Sequence, residues 1–159
     1  MSGPPRKPNA IARSRVMCIV SSDNKIDRVR FWSLGSGHTV IPSSYGVLGD
    51  EARAAKVGTV GTTTELYRLD VDDRPIGMCG MIWKKPRPRL KNAFITPAYR
   101  GRGYYARMLD FRLELARRRG YIEVEATCTR RSLPEMMRRG AVYVRHYKTL
   151  DVTAIRLYI

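Results

Sequence analysis

Cysteine is scarce in this chain. Three residues, Cys18, Cys79 and Cys128, are scattered through 159 positions with no CxxC pair. An odd, widely spaced set excludes a disulfide framework and a structural zinc site, so no metal site is expected, and it points to a reducing, cytoplasmic location. Long apolar runs are also missing. The longest near the N-terminus is Val16-Met17-Cys18-Ile19-Val20, short of a signal peptide's apolar region and far short of the ~20 residues of a membrane span. No membrane partner is therefore expected. Acidic residues are few: fourteen Asp and Glu stand against thirty Lys and Arg, a net charge of +16. What remains is ample apolar material, 43% of the residues, enough for a core and too much for wholesale disorder. At 18.2 kDa the chain is sized for one domain.

The excess charge is unevenly placed. Residues 84–159 carry 19 basic and six acidic side chains, whereas residues 1–83 carry 11 and eight. A clustered positive field costs stability by self-repulsion and concentrates polyanions at the surface. Most of the cations are arginines, which grip phosphate in a fork. Nucleic acid is the partner this clustering favours over a merely solvated surface.

Residues 1–14, with three prolines among the first eight, read as a flexible basic tail, leaving 15–159 as a single domain. A short strand is expected over 15–21. Gly35, Gly37, Pro42, Ser43 and Ser44 make 30–62 look like loop, with a helix over 48–57. From Thr64 the pattern is regular: strands over 64–71 and 76–83 about an Asp72-Asp73-Arg74-Pro75 turn, a Pro- and Lys/Arg-rich loop at 84–89, and a strand over 90–96. A broad apolar face predicts a sheet-packed helix over 103–119. A strand over 121–127, a short helix over 132–139 and strands over 141–148 and 152–159 complete a mixed α/β or α+β sheet flanked by helices.

The chemistry is concentrated in Ile95-Thr-Pro-Ala-Tyr-Arg-Gly-Arg-Gly-Tyr-Tyr-Ala106. A strand ends, the chain turns, and a loop bearing Gly101 and Gly103 enters a helix. Glycines permit conformations closed to other residues and a close approach to a ligand. The helix's first amides and its dipole favour an anion, and Arg100 and Arg102 add positive charge. Physics alone points to phosphate or pyrophosphate.

Pro97-x-Tyr99-Arg100-Gly101-x-Gly103 at a strand-to-helix junction resembles the acyl-CoA-binding loop of the GNAT acyltransferase superfamily, whose pattern is Arg/Gln-x-x-Gly-x-Gly/Ala. The resemblance spans residues 62–159, including Met136-Met137-Arg138-Arg139-Gly140, which is similar to the family's short helix before its last two strands. It implies a mostly antiparallel mixed sheet and acetyl-CoA, or another acyl-CoA, as cosubstrate. It places the coenzyme's pyrophosphate on Arg100, Gly101, Arg102, Gly103, Tyr104, Tyr105 and Ala106, and its pantetheine arm along Phe94 and Ile95. Tyr105 departs from the pattern, standing where Gly or Ala is expected. It falls on the helical face of Leu109, as a core aromatic would.

Acyl transfer needs a neutral amine and a means of accommodating the departing thiolate. The family's usual carboxylate before the loop is replaced by Lys91 and Asn92, and its usual tyrosine by Met136. Tyr143 and His146, read on opposite faces of their strand, and His38 are the substitute catalytic candidates. Tyr143 has a competing reading as packing against the helix at Tyr104, and His146 and His38 as ordinary surface or hydrogen-bonded histidines. Glu123 and Glu125 read as partners for arginine, Cys128 as a small apolar filler, and the 84–91 loop as either a phosphate-contacting finger, with Trp83 free to stack, or a solvated tip. Without a strong base, an acceptor with an α-amino group of pKa ~7.7–8.0 suits the chain best, since part of it is neutral at pH 7. An aminoacyl-tRNA offers such an amine and also answers the charge. The expected function is N-acyl transfer to an amine on tRNA or another nucleic-acid-associated acceptor. The alternatives are a DNA base-modifying enzyme, a protein acetyltransferase and an inactive nucleic-acid-binding module. The sequence leaves the oligomeric state open, a dimer included.

Overall fold

The computed structural model describes residues 16–20, 26–36 and 63–159. Within them one sheet carries eight strands: β1 (Val16–Val20), β2 (Ile26–Ser36), β3 (Thr64–Val71), β4 (Arg74–Ile82), β5 (Arg89–Ile95), β6 (Glu123–Cys128), β7 (Val142–Tyr147) and β8 (Val152–Tyr158). Their spatial order is β1-β2-β3-β4-β5-β6-β8-β7. Every neighbouring pair is antiparallel except β5 and β6. Two helices are described, α1 (Tyr104–Arg118) and α2 (Leu133–Arg138). The mixed, mostly antiparallel sheet with helices is the architecture expected from the sequence.

The strands from β3 onward fall within a residue or two of their expected bounds. The segment from residue 30 does not. Residues 26–36 form β2, an eleven-residue strand rather than a loop. Gly35 and Ser36 are accommodated because the β2–β3 register shifts between Ser33 and Gly35, so a glycine there marks an irregular pairing rather than the end of a strand. The tail at 1–14, the helix at 48–57 and His38 lie outside the described residues.

Local chemistry explains the β3–β4 hairpin. Asp72 and Asp73 both take positive φ, 49° and 64°, as the two central residues of a primed turn require, and aspartate tolerates that region better than most side chains. Asp72 also accepts the Arg28 amide at 3.0 Å, and Asp73 pairs with Arg30 at 3.2 Å, tying the turn to β2.

Helix α1 lies against the sheet through Tyr104, Met108, Leu109, Leu113 and Ala116, all buried. At its flank Phe111 stacks on Phe31, ring centroids 4.1 Å apart, and meets Tyr67 edge-on at 5.2 Å. Arg117 and Arg118 complement the negative end of the dipole, and Gly120 at φ 83° closes the helix. Arg139, at the end of α2, donates to the Ala106 carbonyl and pairs with Asp110, so both helices cover the same face of the sheet.

Glu123 and Glu125 pair with arginine and lysine as expected. Glu123 binds Arg87 at 2.5 Å, and Glu125 binds Lys84 and, at 2.9 Å, Arg89. Burial raises the Glu125 carboxyl, but the Lys84 and Arg89 hydrogen bonds outweigh it and hold the group below its ordinary value. Trp83 is not free to stack on a base. Its Nε1 donates to Glu65 at 2.6 Å, the Arg119 guanidinium lies 3.7 Å over its ring, and Tyr121 stacks beside it. Leu109 is fully buried between α1 and the sheet. Leu109→Ala should therefore lower the unfolding free energy by ~2–5 kcal/mol, read as a lower urea midpoint with an unchanged slope.

Candidate active site

The site begins with a fault in the sheet. Along β4–β5 the register advances two residues on β4, Met78 to Gly80, and three on β5, Phe94 to Lys91. The extra residue is taken up near Asn92, whose φ of 50° is one that asparagine adopts more readily than most residues. The bulge bends β5 away from its parallel neighbour. The register joins β5 to β6 only at Arg89↔Glu125 and Leu90↔Ala126, and past Leu90 the two strands diverge. Their separated ends expose β5 backbone toward a groove, as an extended amide-bearing ligand needs.

The wide end of that groove meets the predicted loop. A single 3₁₀ turn, Pro97–Tyr99, follows β5. Gly101 and Gly103 then take φ 74° and 83°, with Gly103 as the left-handed residue entering α1. No side chain caps this helix end. A methyl group built on either glycine would meet nothing within 4 Å, so the surface above the loop is open. Arg102 stands exposed at the rim, its guanidinium 5.4 Å from the Tyr99 ring. Arg100 instead braces the loop against β5: its Nε donates to the Ile95 carbonyl at 2.9 Å and its guanidinium lies over Phe94. Phe94 and Ile95 are buried at the end of that strand.

Tyr105 does not obstruct this cradle. Its ring packs against the core cluster beside α2, and its hydroxyl lies within hydrogen-bonding reach of the Ser132 and Arg112 side chains. Burial raises its hydroxyl above the ordinary tyrosine value, against the opposing pull of Arg112. The expected core role of Tyr105 holds. Arg112 itself escaped the sequence reading. It is 1% exposed, inside the apolar face of α1, two helical turns after Tyr105. An arginine at that spacing, four after Met108 and four before Ala116, was the available signal.

Cys79 and Cys128 are buried thiols. Burial pushes Cys79 up to about 11 and also raises Cys128, each against a lowering influence of Arg112. Neither has the character of a nucleophile, which needs a depressed pKa. Cys128 is the filler expected.

Tyr143 and His146 lie elsewhere. β7 is the outermost strand, with β8 between it and β6. Tyr143 faces Ile155 and His146 faces Thr153, with a register shift between Tyr143 and Arg145. Ile155 and Thr153 are two apart on β8, so both candidates share one face, not opposite faces; the bulge supplies the extra residue that restores the alternation. Tyr143 is 58% exposed and does not pack against Tyr104. His146 Nδ1 is 3.1 Å from the Thr153 hydroxyl and its Nε2 is 3.7 Å from Asp151, a hydrogen-bonded strand histidine. Met136, at the position of the family's usual tyrosine, is 1% exposed in the core. A separate concavity of about 360 Å³, lined by Glu125, Thr127, Tyr147, Leu150 and Arg156 among others, opens beside β6 and β8. Among the described residues no group of His, Cys, Asp or Glu is arranged to hold a metal, and no helix is long and apolar enough to cross a membrane.

A strand bulge, a splayed parallel pair and a glycine loop at a helix N-terminus define an acyltransferase of the acyl-CoA-binding kind. Residues 50–158 match the model of the acetyltransferase (GNAT) family, and the chain belongs to that family. It is thus an acyl-CoA-dependent enzyme, and the open cradle and divergent strands fit such a cosubstrate. No curated protein sequence matches it. Among solved structures it is similar to an IAA acetyltransferase from Bacillus cereus (14% identity, 82% of this chain and 99% of that one, TM-score 0.61). It is similar too to the GNAT domain of S. lividans PAT (14%, 91% and 97%, 0.62). A GNAT family acetyltransferase from Elizabethkingia anophelis with acetyl-CoA bound gives 14%, 82% and 98%, and 0.60. At these identities the likeness carries the fold.

Gly103→Ala should cost ~1–2 kcal/mol of stability, because its left-handed φ penalises a Cβ, and should weaken acetyl-CoA binding in calorimetry by placing a methyl group in the open cradle. Cys79 gives a pH signature. Above pH 9 the unfolded thiol ionises while the folded one stays protonated to about 11, so the unfolded state binds fewer protons and stability falls as pH rises. The loss, on the order of 2 kcal/mol between pH 9 and 11, should disappear from the urea stability profile of Cys79→Ala.

Proposed function

We propose that this enzyme transfers an acetyl group from acetyl-CoA to an amine carried by a nucleic-acid-associated acceptor, the α-amine of an aminoacyl-tRNA being the best fit. The observation that carries the reading is the excess of 13 positive charges over residues 84–159, the segment that builds the groove, the loop and both described helices. Several of these cations are already committed: Arg117 and Arg118 pair with Glu114, Arg138 and Arg139 with Glu135, and Arg130 with Asp151. Arg102 on the loop and Arg131 before α2 are exposed on either side of the groove mouth. Among the described residues neither has a carboxylate partner, which leaves both for an acceptor's phosphates.

The proposed acceptor also suits what the groove does not hold. Neither the Lys91–Asn92 stretch of β5 nor Met136 supplies a carboxylate or phenol. An acceptor amine that is partly neutral near pH 7 requires less help than a lysine, of which about one in a thousand is unprotonated there. Cationic small acceptors such as polyamines are disfavoured by like-charge repulsion. A DNA base amine is a weaker nucleophile, buried in the duplex, and would have to be flipped out.

The test is incubation with radiolabelled acetyl-CoA and, in parallel, aminoacyl-tRNA, duplex DNA, a peptide with a free N-terminus and a polyamine. Label that is acid-precipitable, RNase-sensitive and absent with uncharged tRNA is the expected result. Affinity for the tRNA should fall with salt at a log–log slope of roughly −0.7 to −0.9 per phosphate contacted. Label confined to the peptide or the polyamine, with a flat salt response, would overturn the acceptor assignment and leave the transferase intact.

A further inference from the structure

Arg112 is a full positive charge, 1% exposed, in the interior of the molecule. Its Nε has no hydrogen-bond partner, and among the described residues no carboxylate forms an ion pair with it. Taking a guanidinium out of water costs several kcal/mol unless it is paired, and an apolar residue at the same helical position would avoid that cost. Such a charge is accounted for when an anion arrives beside it during function.

Its neighbours locate it. Arg112 acts on the Cys79 thiol of β4 and on the Cys128 thiol of β6. β5 lies between those two strands, so the guanidinium lies beneath β5 at the point where that strand bulges and leaves β6. Tyr105 reaches the same place from the first turn of α1, its hydroxyl among Arg112, Ser132 and Cys128. The groups packed around the guanidinium are therefore two thiols, a phenol and a hydroxyl. The nearby carboxylates of Asp110 and Glu135 are engaged by Arg139. The positive charge is left uncompensated on the floor of the groove.

We infer that Tyr105 and Arg112 form a receiving site for the thiolate of coenzyme A, in which the Tyr105 hydroxyl donates to the sulfur and Arg112 supplies the compensating charge from behind it. This rests on the acyl-CoA reading and is independent of the acceptor. The amine lone pair forms the C–N bond to the thioester carbonyl carbon, and the C–S bond breaks with its electron pair on sulfur. The sulfur leaves as an anion, and the proton lost by the attacking ammonium goes to solvent. No acid need protonate the sulfur, which is compatible with a methionine at position 136. Tyr105 is the group that touches the sulfur, and Arg112 is the residue that positions and polarises it.

The experiment is titration calorimetry of the full chain with coenzyme A and with desulfo-coenzyme A, which lacks the thiol, from pH 6.5 to 9.5. An ordinary thiol ionises near 8.5. If the bound thiol ionises at least one unit lower, the preference for coenzyme A over the desulfo compound rises tenfold or more as pH increases through that interval. Tyr105→Phe, which keeps the ring, should cut that rise at least threefold, and Arg112→Met should flatten it while desulfo-coenzyme A still binds. Should Arg112→Met fail to fold, as judged by circular dichroism, Tyr105→Phe decides. A preference that does not change with pH in the unaltered protein, or a rise of equal size in Tyr105→Phe, overturns the site. Binding of neither compound sinks the acyl-CoA reading and this site with it.

Discussion

Two residue pairs hold β5 to β6, and the functional half of the molecule depends on their being so few. A parallel pair that continued to the strand ends would satisfy its backbone groups internally and close the sheet. The bulge near Asn92 prevents this by inserting one residue more than β4 can match. The consequence is a groove whose wall is hydrogen-bonding backbone and whose wide end opens at the N-terminus of α1. Arg100 serves the same geometry, because its bond to the Ile95 carbonyl ties the glycine loop to the end of the diverging strand. Cradle and groove are thereby fixed relative to one another by covalent connection and one charge-assisted hydrogen bond.

Around this frame the chain distributes an unusual amount of positive charge, and it does so in two ways. On the surface, arginines are either neutralised by the few acidic residues or left exposed at the groove mouth. In the interior, Arg112 stands without an acidic partner among the described residues. The first pattern favours a polyanionic acceptor approaching the mouth. The second favours an anion generated within the groove. They are separate inferences from separate residues, and the failure of one leaves the other standing.

Much of the fold was legible because its signals are local. The alternation of β3, the Asp-Asp turn, the broad apolar face of α1 and the Gly-x-Gly entry into it each depend on neighbours within a few positions. β2 was not legible: its glycine and serine resemble a loop until β3 is present to pair with them across an irregular register. The faces of Tyr143 and His146 were misjudged for a related reason, since one extra residue in β7 reverses the alternation and shows only against β8. Trp83 looked free because its three partners, Glu65, Arg119 and Tyr121, come from other elements.

The site divides along the same line. By itself the sequence determined the anion cradle, because a glycine loop, a helix start and flanking arginines are contiguous and their chemistry needs no distant partner. It also determined the charge, which is a sum over residues and independent of arrangement. Only the tertiary structure decided that Tyr105 turns away from the cradle, that β5 parts from β6, and that Arg112 ends buried beneath the gap. Each of these depends on contacts between segments far apart in the chain, where packing and register, rather than local preference, set the outcome.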